Sequence, residues 1–352
     1  MKVAIIHNQL RNSGGMESYM LALIRGFQEA GDEVHVHTYD VDKKLADRLH
    51  CTVHRMRLFF LPGRWKKYFF LMSCNKRFDR SFYDVSLALT RTTAAHIAVI
   101  GGVHPASVAV RSGRAHLLRR FHDRMENGFE RSMFADCPNI LVHSKRIARE
   151  IIKYYPDINP DKIAVKYPPI DTTFFSRVSG DALVGVKEEF RIKADRMTFL
   201  FPSRGHRRKG LSELLSAFSR LDPDKYELLV AGEKMKGFRN IPANVRYLGY
   251  VVNLSGLYSA VDYTVLPSHY EPFGLAVVES LHCGTPVLIG KQVGAAEIIG
   301  VEEGVVLDST TDRDLAETIA RLEPKKIAPD FVYRHGLSIN RHIEEIKALV
   351  RR

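Results

Sequence analysis

The sequence predicts an α/β protein built from two doubly wound parallel sheets that face each other across a cleft. The chain has 352 residues, which is too many for one ordinary domain and about right for two. Short runs rich in β-branched residues alternate with runs of helical apolar spacing, a pattern typical of parallel sheets covered on both faces. Pro168 and Pro169 interrupt this pattern near the middle of the chain, where they can continue neither a helix nor a central strand.

Each half of the chain repeats the same alternation of elements. In the first half we expect strands at residues 2–7, 34–39, 85–89, 97–100, 140–143 and 163–166, and helices at residues 16–30, 116–134 and 145–155. In the second half we expect strands at residues 198–202, 228–231, 245–248, 263–266, 286–289 and 305–307, and helices at residues 211–221, 275–282, 315–322 and 339–350. Because ligands of doubly wound sheets bind outside the carboxyl ends of the strands, we expect the site in the cleft.

The composition argues against several classes of protein. Apolar residues make up 45% of the chain and charged residues 26%, as in soluble globular proteins. No apolar run approaches the ~18 residues of a membrane span. Four scattered cysteines without a Cys-x-x-Cys pair argue against a disulfide framework or a zinc site, and they favour a cytoplasmic location.

The net charge of +12 is concentrated in the first half of the chain. Residues 1–176 carry 27 Lys and Arg against 17 Asp and Glu, whereas residues 177–352 carry 25 against 23. The densest segment, residues 43–80, has 11 basic residues against Asp47 and Asp79, interleaved with aromatic and aliphatic side chains. This charge suits an anionic partner, but nucleic acid is disfavoured because no recognised binding motif accompanies it.

Two glycines, Gly14 and Gly15, follow the first predicted strand. They let the backbone pass close to a ligand, and the start of the next helix presents N–H groups to an anion. A plain glycine-rich turn explains the same residues, so both interpretations stay open. The dinucleotide fingerprint G-x-G-x-x-G is absent.

A basic loop follows the first strand of the second half. Arg204 and Lys209 lie five residues apart between that strand and a helix, so both side chains can point into the cleft. Fixed positive charge beside a helix N-terminus is what a phosphate group requires. We therefore favour phosphate binding over the alternative, a solvated basic loop.

Two glutamates follow the strand predicted at residues 263–266. Glu271 lies on the loop, and Glu279 lies two turns inside the next helix among apolar residues, where a carboxylate needs a partner. The alternatives are a surface glutamate on an amphipathic helix and a purely structural Pro272 at the helix start.

These residues resemble the signature of retaining family-4 glycosyltransferases. The segment from Glu271 to Glu279 matches the family's E-x7-E motif in its common form E-P-F-G-x-x-x-x-E. Arg204 and Lys209 match the Arg-x4-Lys pair of that family. One such motif would be weak support, but both occur in the family's order.

Four further segments extend the resemblance over nearly the whole chain. Gly14 and Gly15 match the N-terminal Gly-Gly loop, and residues 294–297 match the small-residue turn that follows E-x7-E. Residues 101–104 and 129–131 resemble the branch that contains lipopolysaccharide core glycosyltransferases.

The resemblance implies a GT-B fold and a domain for each substrate. Residues 1–170 would bind the acceptor, residues 171–334 would bind the nucleotide sugar, and the C-terminal helix within residues 335–352 would pack back on the first domain. The implied reaction transfers a hexose from a nucleoside diphosphate sugar, with UDP favoured, to a glycan or lipid-linked acceptor such as lipopolysaccharide core. The anomeric configuration would be retained, and no cofactor beyond the donor is implied.

The resemblance also implies a role for each site residue. Arg204 and Lys209 would hold the diphosphate, and Glu279 would bind the ribose hydroxyls. The donor-binding set is Gly14, Gly15, Arg204, Lys209, Phe273, Gly274, Leu275 and Glu279, and the catalytic set is Glu271, His104, Lys209 and Arg204. His104 would contact the transferred sugar, and the alternative for it is a buried histidine satisfied by the backbone.

No metal ion is expected in this reaction. The sequences Asp-x-Asp at residues 222–224 and 312–314 match the letters of a metal-binding motif. The first is expected in a turn and the second at a helix start, so both are interpreted as structural. Two cations and helix N-termini can stabilise the charge on the leaving diphosphate instead.

Residues 43–80 are expected to bind the anionic inner face of the cytoplasmic membrane, where a lipid-linked acceptor would be displayed. Aromatic residues among cations suit the interface of such a bilayer. The aromatic residues are Trp65, Phe69 and Phe70, and the cations are Arg64, Lys66 and Lys67. The alternative is a solvated basic face over core aromatics.

Other functions of similar folds stay open. A GT-B-fold sugar-nucleotide epimerase would share the architecture, and so would a phosphorylase, although its coenzyme lysine motif is not found. A non-catalytic sugar-binding paralogue is a further alternative, but both glutamates of the E-x7-E motif are present.

Overall fold

The structure, a computed structural model, describes residues 1–12, 14–110 and 117–351. The chain divides into two compact units, the first made of Met1–Pro169 with Leu337–Arg352 and the second of Ile170–Gly336. The chain leaves the first unit after Pro169 and returns to it at Leu337. Ser13 of the glycine loop and His116 of a predicted helix lie outside the described residues.

The strands of the described residues follow one another in this order: β1 (Lys2–Ile6), β2 (Gln9–Leu10), β3 (Glu33–Thr38), β4 (Asp40–Val41), β5 (Thr52–Arg55), β6 (Val85–Ala88), β7 (Ile97–Ile100), β8 (Asn139–Val142), β9 (Ile163–Val165), β10 (Met197–Ser203), β11 (Tyr226–Gly232), β12 (Val245–Gly249), β13 (Tyr263–Leu266), β14 (Val287–Gly290) and β15 (Gly304–Leu307). Each expected strand is present, within a few residues of its predicted ends.

The helices are α1 (Gly15–Glu29), α2 (Lys43–Ala46), α3 (Gly63–Arg77), α4 (His104–Ala109), α5 (Leu117–Asp136), α6 (Lys145–Tyr154), α7 (Gly180–Glu189), α8 (Leu211–Phe218), α9 (Leu254–Ala260), α10 (Leu275–His282), α11 (Asp312–Ile319), α12 (Phe331–Arg334) and α13 (Ile339–Val350). Short 3₁₀ turns occur at Arg80–Phe82, Pro160–Lys162 and Gly294–Glu297. The sequence did not predict α2, α3, α4, α7, α9 and α12.

The first unit is a Rossmann-like α/β sheet. Its seven strands lie in the order β5-β3-β1-β6-β7-β8-β9, and all are parallel. Successive residues of β1 face opposite sides of the sheet. Val3 and Ile5 pack in a core with α1 and α13, whereas Ile6 packs in a second core with α3. Helices therefore cover both faces.

The second unit repeats this plan with six parallel strands in the order β12-β11-β10-β13-β14-β15. Leu200 of β10 packs with α9 on one face, and the Phe199 ring lies 5.8 Å from that of Phe218 in α8 on the other. The strand order reverses between β10 and β13, so the loops that follow these two strands border the crevice where ligands of such sheets bind.

Candidate active site

The basic loop and the Glu271 loop of the second unit follow neighbouring strands. β10 and β13 pair directly, and their carboxyl ends point to the same edge of the sheet. Arg204 to Lys209 follow β10, and Glu271 follows β13. The sheet therefore brings together two of the predicted motifs that lie more than sixty residues apart in the sequence.

Two cations contact the Glu271 carboxylate. Oε2 of Glu271 lies 3.2 Å from Nη1 of Arg208 and 3.5 Å from Nζ of Lys209. Arg208 also donates to the backbone carbonyl of Tyr270, so it joins the two loops at a second point. The sequence motif predicted Lys209 at this site, whereas no motif pointed to Arg208.

Glu279 lies on α10, and Tyr258 of α9 donates a hydrogen bond of 3.0 Å to its Oε2. Burial raises the pKa of Glu279 to about 7, although the Tyr258 hydrogen bond and the charge of Lys209 act in the opposite direction. The expectation that this carboxylate has a partner is therefore fulfilled by Tyr258. Lys209 therefore contacts Glu271, and its charge also acts on Glu279.

Glycines allow the Glu271 loop to pack against the turn that follows β14. Gly274 has a φ of +97°, which side-chain-bearing residues rarely adopt. A Cβ atom on Gly294 would lie 2.0 Å from the carbonyl oxygen of Pro272. Hydrogen bonds hold the contact, since Gly294 donates to Glu271 and Ala295 donates to Phe273 through backbone atoms at 2.9 and 2.8 Å.

The helix α10 begins at Leu275, its N-cap residue is Gly274, and Phe273 directly precedes the cap. Phe273 is buried and Leu275 is partly buried. The helix begins at Leu275, three positions after Pro272. Pro272 therefore precedes the helix, and its interpretation as a structural proline at the helix start is wrong.

Arg204 is exposed, and its guanidinium carbon lies 5.7 Å from the ring centroid of Tyr250. The backbone N–H groups of Gly205 and His206 donate to Oε1 of Glu233 at 2.7 and 3.2 Å. This carboxylate fixes the loop that carries both predicted phosphate-binding cations. No motif in the sequence predicted Glu233, because it follows a different strand, β11.

In the first unit, Gly14 and Gly15 lie at the start of α1, as expected. The neighbouring Glu17 carboxylate lies 3.2 Å from Nε2 of His7 and accepts a 2.8 Å hydrogen bond from Gln9. Burial alone would raise the pKa of Glu17, but these two hydrogen bonds, a backbone hydrogen bond and the charge of His7 together lower the pKa to about 2. A fixed negative charge therefore lies two residues after the glycine pair.

His104 is the first residue of α4 and is buried. Its Nε2 lies 2.9 Å from Oδ1 of Asp123, and its backbone N–H donates to both carboxylate oxygens of Glu130 at 3.2 and 2.9 Å. Burial lowers the pKa of His104, while the Asp123 hydrogen bond opposes this effect. The alternative, a buried histidine whose ring is hydrogen-bonded by the backbone, is wrong for Nε2, because the partner of Nε2 is the Asp123 carboxylate.

The two Asp-x-Asp sequences are hydrogen-bonded within their own surroundings. Asp222 accepts from the backbone of Asp224, Asp312 accepts from Ser216 and Arg220, and Asp314 accepts from Thr311. Within residues 1–12, 14–110 and 117–351, no group of three or more His, Cys, Asp or Glu side chains is arranged to hold a metal ion.

The structure corrects the expected membrane-facing set in α3. Phe70 is only 1% exposed and packs in the core of the first unit. Lys67 donates to both oxygens of the buried Glu126 at 2.6 and 2.7 Å. Trp65 and Phe69 are exposed, as expected, and the side chain of Arg64 lies outside the described part of the structure.

Exposed apolar side chains nevertheless surround the start of α3. We call this set the aromatic patch, and it consists of Phe59, Phe60, Trp65, Phe69 and Met72. The rings of Phe59 and Phe60 lie 5.8 Å apart, and those of Phe60 and Phe69 lie 6.1 Å apart. None of the helices among the described residues has both the length and the hydropathy needed to cross a bilayer.

Comparison with known proteins identifies the family. The family model "Glycosyltransferase Family 4" matches residues 13–174, and the model "Glycosyl transferases group 1" matches residues 186–331. A probable transglycosylase of Burkholderia thailandensis is 31% identical over 299 residues, which cover 85% of this chain and 80% of that protein. The chain belongs to glycosyltransferase family 4. It is therefore an enzyme that transfers glycosyl groups.

Other relatives of this glycosyltransferase match more weakly. A D-inositol 3-phosphate glycosyltransferase of Thermomonospora curvata is 28% identical over 224 residues, covering 56% of this chain and 52% of that one.

Solved structures show the fold. WaaG, a glycosyltransferase involved in lipopolysaccharide biosynthesis, has a TM-score of 0.75 at 17% identity and covers 99% of this chain and 95% of its own. HepE of Anabaena, solved with UDP and glucose, has a TM-score of 0.70 at 15% identity, with coverage of 99% and 94%. The glycosyltransferase thus has the GT-B fold, as predicted.

Proposed function

We propose that this glycosyltransferase transfers a hexose from a nucleoside diphosphate sugar to a glycan or lipid-linked acceptor. The position of Lys209 carries the proposal. Its ammonium group lies 3.5 Å from the Glu271 carboxylate, and its charge opposes the rise in pKa that burial causes at Glu279. A cation beside a carboxylate at the carboxyl edge of a parallel sheet can bind a diphosphate next to sugar hydroxyls.

The donor would contact the second unit through three groups of residues. Arg204 and Lys209 would hold the diphosphate by charge-assisted hydrogen bonds. Glu279 would accept hydrogen bonds from the ribose hydroxyls. Glu271 and the backbone at the start of α10 would orient the donor sugar.

The family resemblance also assigns roles to residues of the first unit. Gly14 and Gly15 would let the backbone of the α1 start approach the diphosphate closely. His104 would contact the transferred sugar. The acceptor would bind to this unit.

We further propose that the transfer needs no metal ion and retains the anomeric configuration. Cleavage of the bond between the anomeric carbon and the β-phosphate oxygen leaves negative charge on the diphosphate. Arg204, Lys209 and the start of α10 would stabilise that charge, and one preorganised contact of this kind typically contributes ~3 kcal/mol to the transition state. Retention is the outcome implied by the family.

The comparisons support the choice of donor and acceptor. HepE was solved with UDP-glucose, which makes UDP the first nucleotide to test. WaaG takes part in lipopolysaccharide biosynthesis, which makes lipopolysaccharide core the first acceptor to test.

The aromatic patch supports attachment to the inner face of the cytoplasmic membrane. Basic residues close to it in the sequence, including Arg55, Arg57, Lys76 and Arg77, are exposed. Near an anionic bilayer each such cation contributes about 1 kcal/mol. The lipid-linked acceptor would then be presented where the enzyme binds.

A panel of sugar nucleotides tests the donor proposal. We expect UDP-hexoses to raise the Tm more than ADP-, GDP- or CMP-sugars, and NMR of the product with acceptor to show the donor's anomeric configuration. EDTA should leave the rate unchanged. An inverted product would contradict retention, and loss of activity in EDTA would contradict metal independence. An epimerised sugar nucleotide formed without any acceptor would favour the epimerase instead.

Flotation with liposomes tests the membrane proposal. We expect binding to vesicles that contain anionic phospholipid, little binding to neutral vesicles, and loss of binding in the double variant Trp65→Ser/Phe69→Ser. Tyr333→Ala removes an even more exposed aromatic side chain from the second unit and should not alter flotation. Equal binding to both kinds of vesicle would contradict the proposal.

A further inference from the structure

Three carboxylates of α5 lie on one side of the helix, at positions 123, 126 and 130. Spacings of three and four residues place side chains on the same helical face. Glu126 and Glu130 are buried. Asp123, at the end of this row, is the member that contacts the imidazole of His104.

Buried contacts hold the row in place. Arg91 donates to Glu126 at 2.9 Å and to Glu130 at 3.0 Å. Tyr155 donates to Glu130 at 2.8 Å. Since Glu130 also accepts the backbone N–H of His104, the row and the start of α4 form one fixed assembly. Such support keeps a functional side chain within a narrow range of positions.

The Asp123 contact specifies which nitrogen of His104 carries a proton. A carboxylate accepts hydrogen bonds, so Nε2 of the imidazole must donate across the 2.9 Å distance to Oδ1. In the neutral ring Nδ1 then has a lone pair and can accept a hydrogen bond. A hydroxyl group of a sugar can supply that hydrogen bond.

We propose that Asp123 is a positioning residue for sugar transfer, because its carboxylate fixes the orientation and tautomer of His104 so that Nδ1 accepts a hydrogen bond from a hydroxyl of the transferred sugar. This inference rests on the proposed contact between His104 and the donor sugar. It adds a residue to which no motif in the sequence pointed.

Charged and titratable groups around His104 determine how its protonation depends on pH. Asp123, His122 and Glu130 face it from α5, and Arg91 faces it from the loop after β6. The Asp123 carboxylate is the hydrogen-bonded group that stabilises the imidazolium. Removal of this carboxylate should lower the pKa of His104.

The test compares Asp123→Asn with Asp136→Asn, which removes an exposed carboxylate at the other end of the same helix. We expect Asp123→Asn to lower kcat about 10-fold or more, in line with the loss of other positioning partners. The acid limb of its pH profile should move to lower pH, while the Kd of UDP stays unchanged. Asp136→Asn should match the wild type. A purely structural aspartate would not shift the pH profile.

Asp123→Glu provides a second measurement if the asparagine variant does not fold. It keeps the carboxylate and should keep the wild-type pH profile with a reduced kcat. A normal kcat and pH profile in Asp123→Asn, with an inactive His104→Ala, would overturn the positioning role and leave the proposed function intact. A fully active His104→Ala would overturn the His104 contact itself and this inference with it.

Discussion

Glu279 is the residue whose chemistry depends most on its surroundings. The apolar stretch around it predicts that the carboxylate needs a partner, and the structure supplies the Tyr258 hydroxyl at 3.0 Å. The sequence could not identify that partner, because Tyr258 lies on a helix without a recognisable apolar period. Burial holds the pKa of Glu279 at about 7.

This pKa predicts a pH dependence of donor binding. If the ionised Glu279 accepts the ribose hydroxyls, the affinity for UDP falls as the pH drops below about 7. Tyr258→Phe removes a hydrogen bond that stabilises the carboxylate, so the midpoint should move to higher pH. Titration calorimetry of UDP binding across pH 5.5–8.5, about 1.5 units on either side of the expected midpoint, measures this shift.

Tyr263→Phe is the matched control. Its hydroxyl donates to the backbone of Glu323, and the residue is as deeply buried as Tyr258. The control should leave the midpoint of UDP binding at its wild-type value. A pH-independent affinity in the wild type would contradict the role of Glu279.

The helices that the sequence missed share a physical cause. α3 has large apolar side chains on both its buried and its exposed faces, which hides a helical period. Nearly every residue of α9 is buried, whereas none of α7 is, so neither presents an apolar and a polar face. The strands that the sequence predicted are short β-branched runs, which mark buried parallel sheets. The sequence did not predict β2, β4 and β5, which are short and contain few buried residues.

The site elements were partly predictable for a similar reason. Loops that follow adjacent parallel strands must meet at one sheet edge, so the meeting of the basic loop with Glu271 follows from topology. The contribution of Glu233 does not follow from topology, because the hydrogen bonds that it accepts from the basic loop depend on the path of a different loop.

The close approach of Gly294 to Pro272 predicts a strong effect of a single methyl group. Gly294→Ala would place Cβ against a backbone oxygen, so the turn must move away from the Glu271 loop. We expect weaker donor binding and a loss of stability of about 1–3 kcal/mol. Titration of UDP and urea denaturation measure both effects.

Gly185→Ala is the control for this variant. Gly185 lies in α7, and its added Cβ would meet nothing within 4 Å. Alanine should therefore raise stability by up to about 1 kcal/mol and leave UDP binding unchanged. Equal behaviour of the two variants would contradict the importance of the close contact.

The C-terminal helix α13 belongs to the first unit. His342 of α13 lies 2.8 Å from the Tyr19 hydroxyl of α1, and Lys347 lies 2.8 Å from the buried carboxylate of Asp32. The Tyr19 ring also contacts His143, with centroids 4.6 Å apart. The amphipathic period of α13 was visible in the sequence, but these buried polar partners were not.

Two of these histidines predict a loss of stability in acid. Burial lowers the pKa of His143 and of His342 to about 3, whereas an unfolded histidine has a pKa of about 6.5. Between these values the unfolded state binds more protons, so stability falls as the pH falls. Each histidine contributes about 1.4 kcal/mol per pH unit in this window and nothing above it.

Urea denaturation followed by the fluorescence of Trp65, the only tryptophan and a residue of the first unit, measures this slope. His143→Leu should reduce the slope, whereas His50→Gln, at an exposed position, should not change it. A slope that His143→Leu leaves unchanged would contradict the assignment.

The central claim is that Lys209 stabilises the donor diphosphate beside Glu271 and Glu279. The transfer rate of Lys209→Ala, compared with that of Lys225→Ala at an exposed position before β11, tests it most directly. We predict a loss of about 100-fold or more in kcat for Lys209→Ala and no loss for Lys225→Ala. Near-normal turnover of Lys209→Ala would contradict the claim.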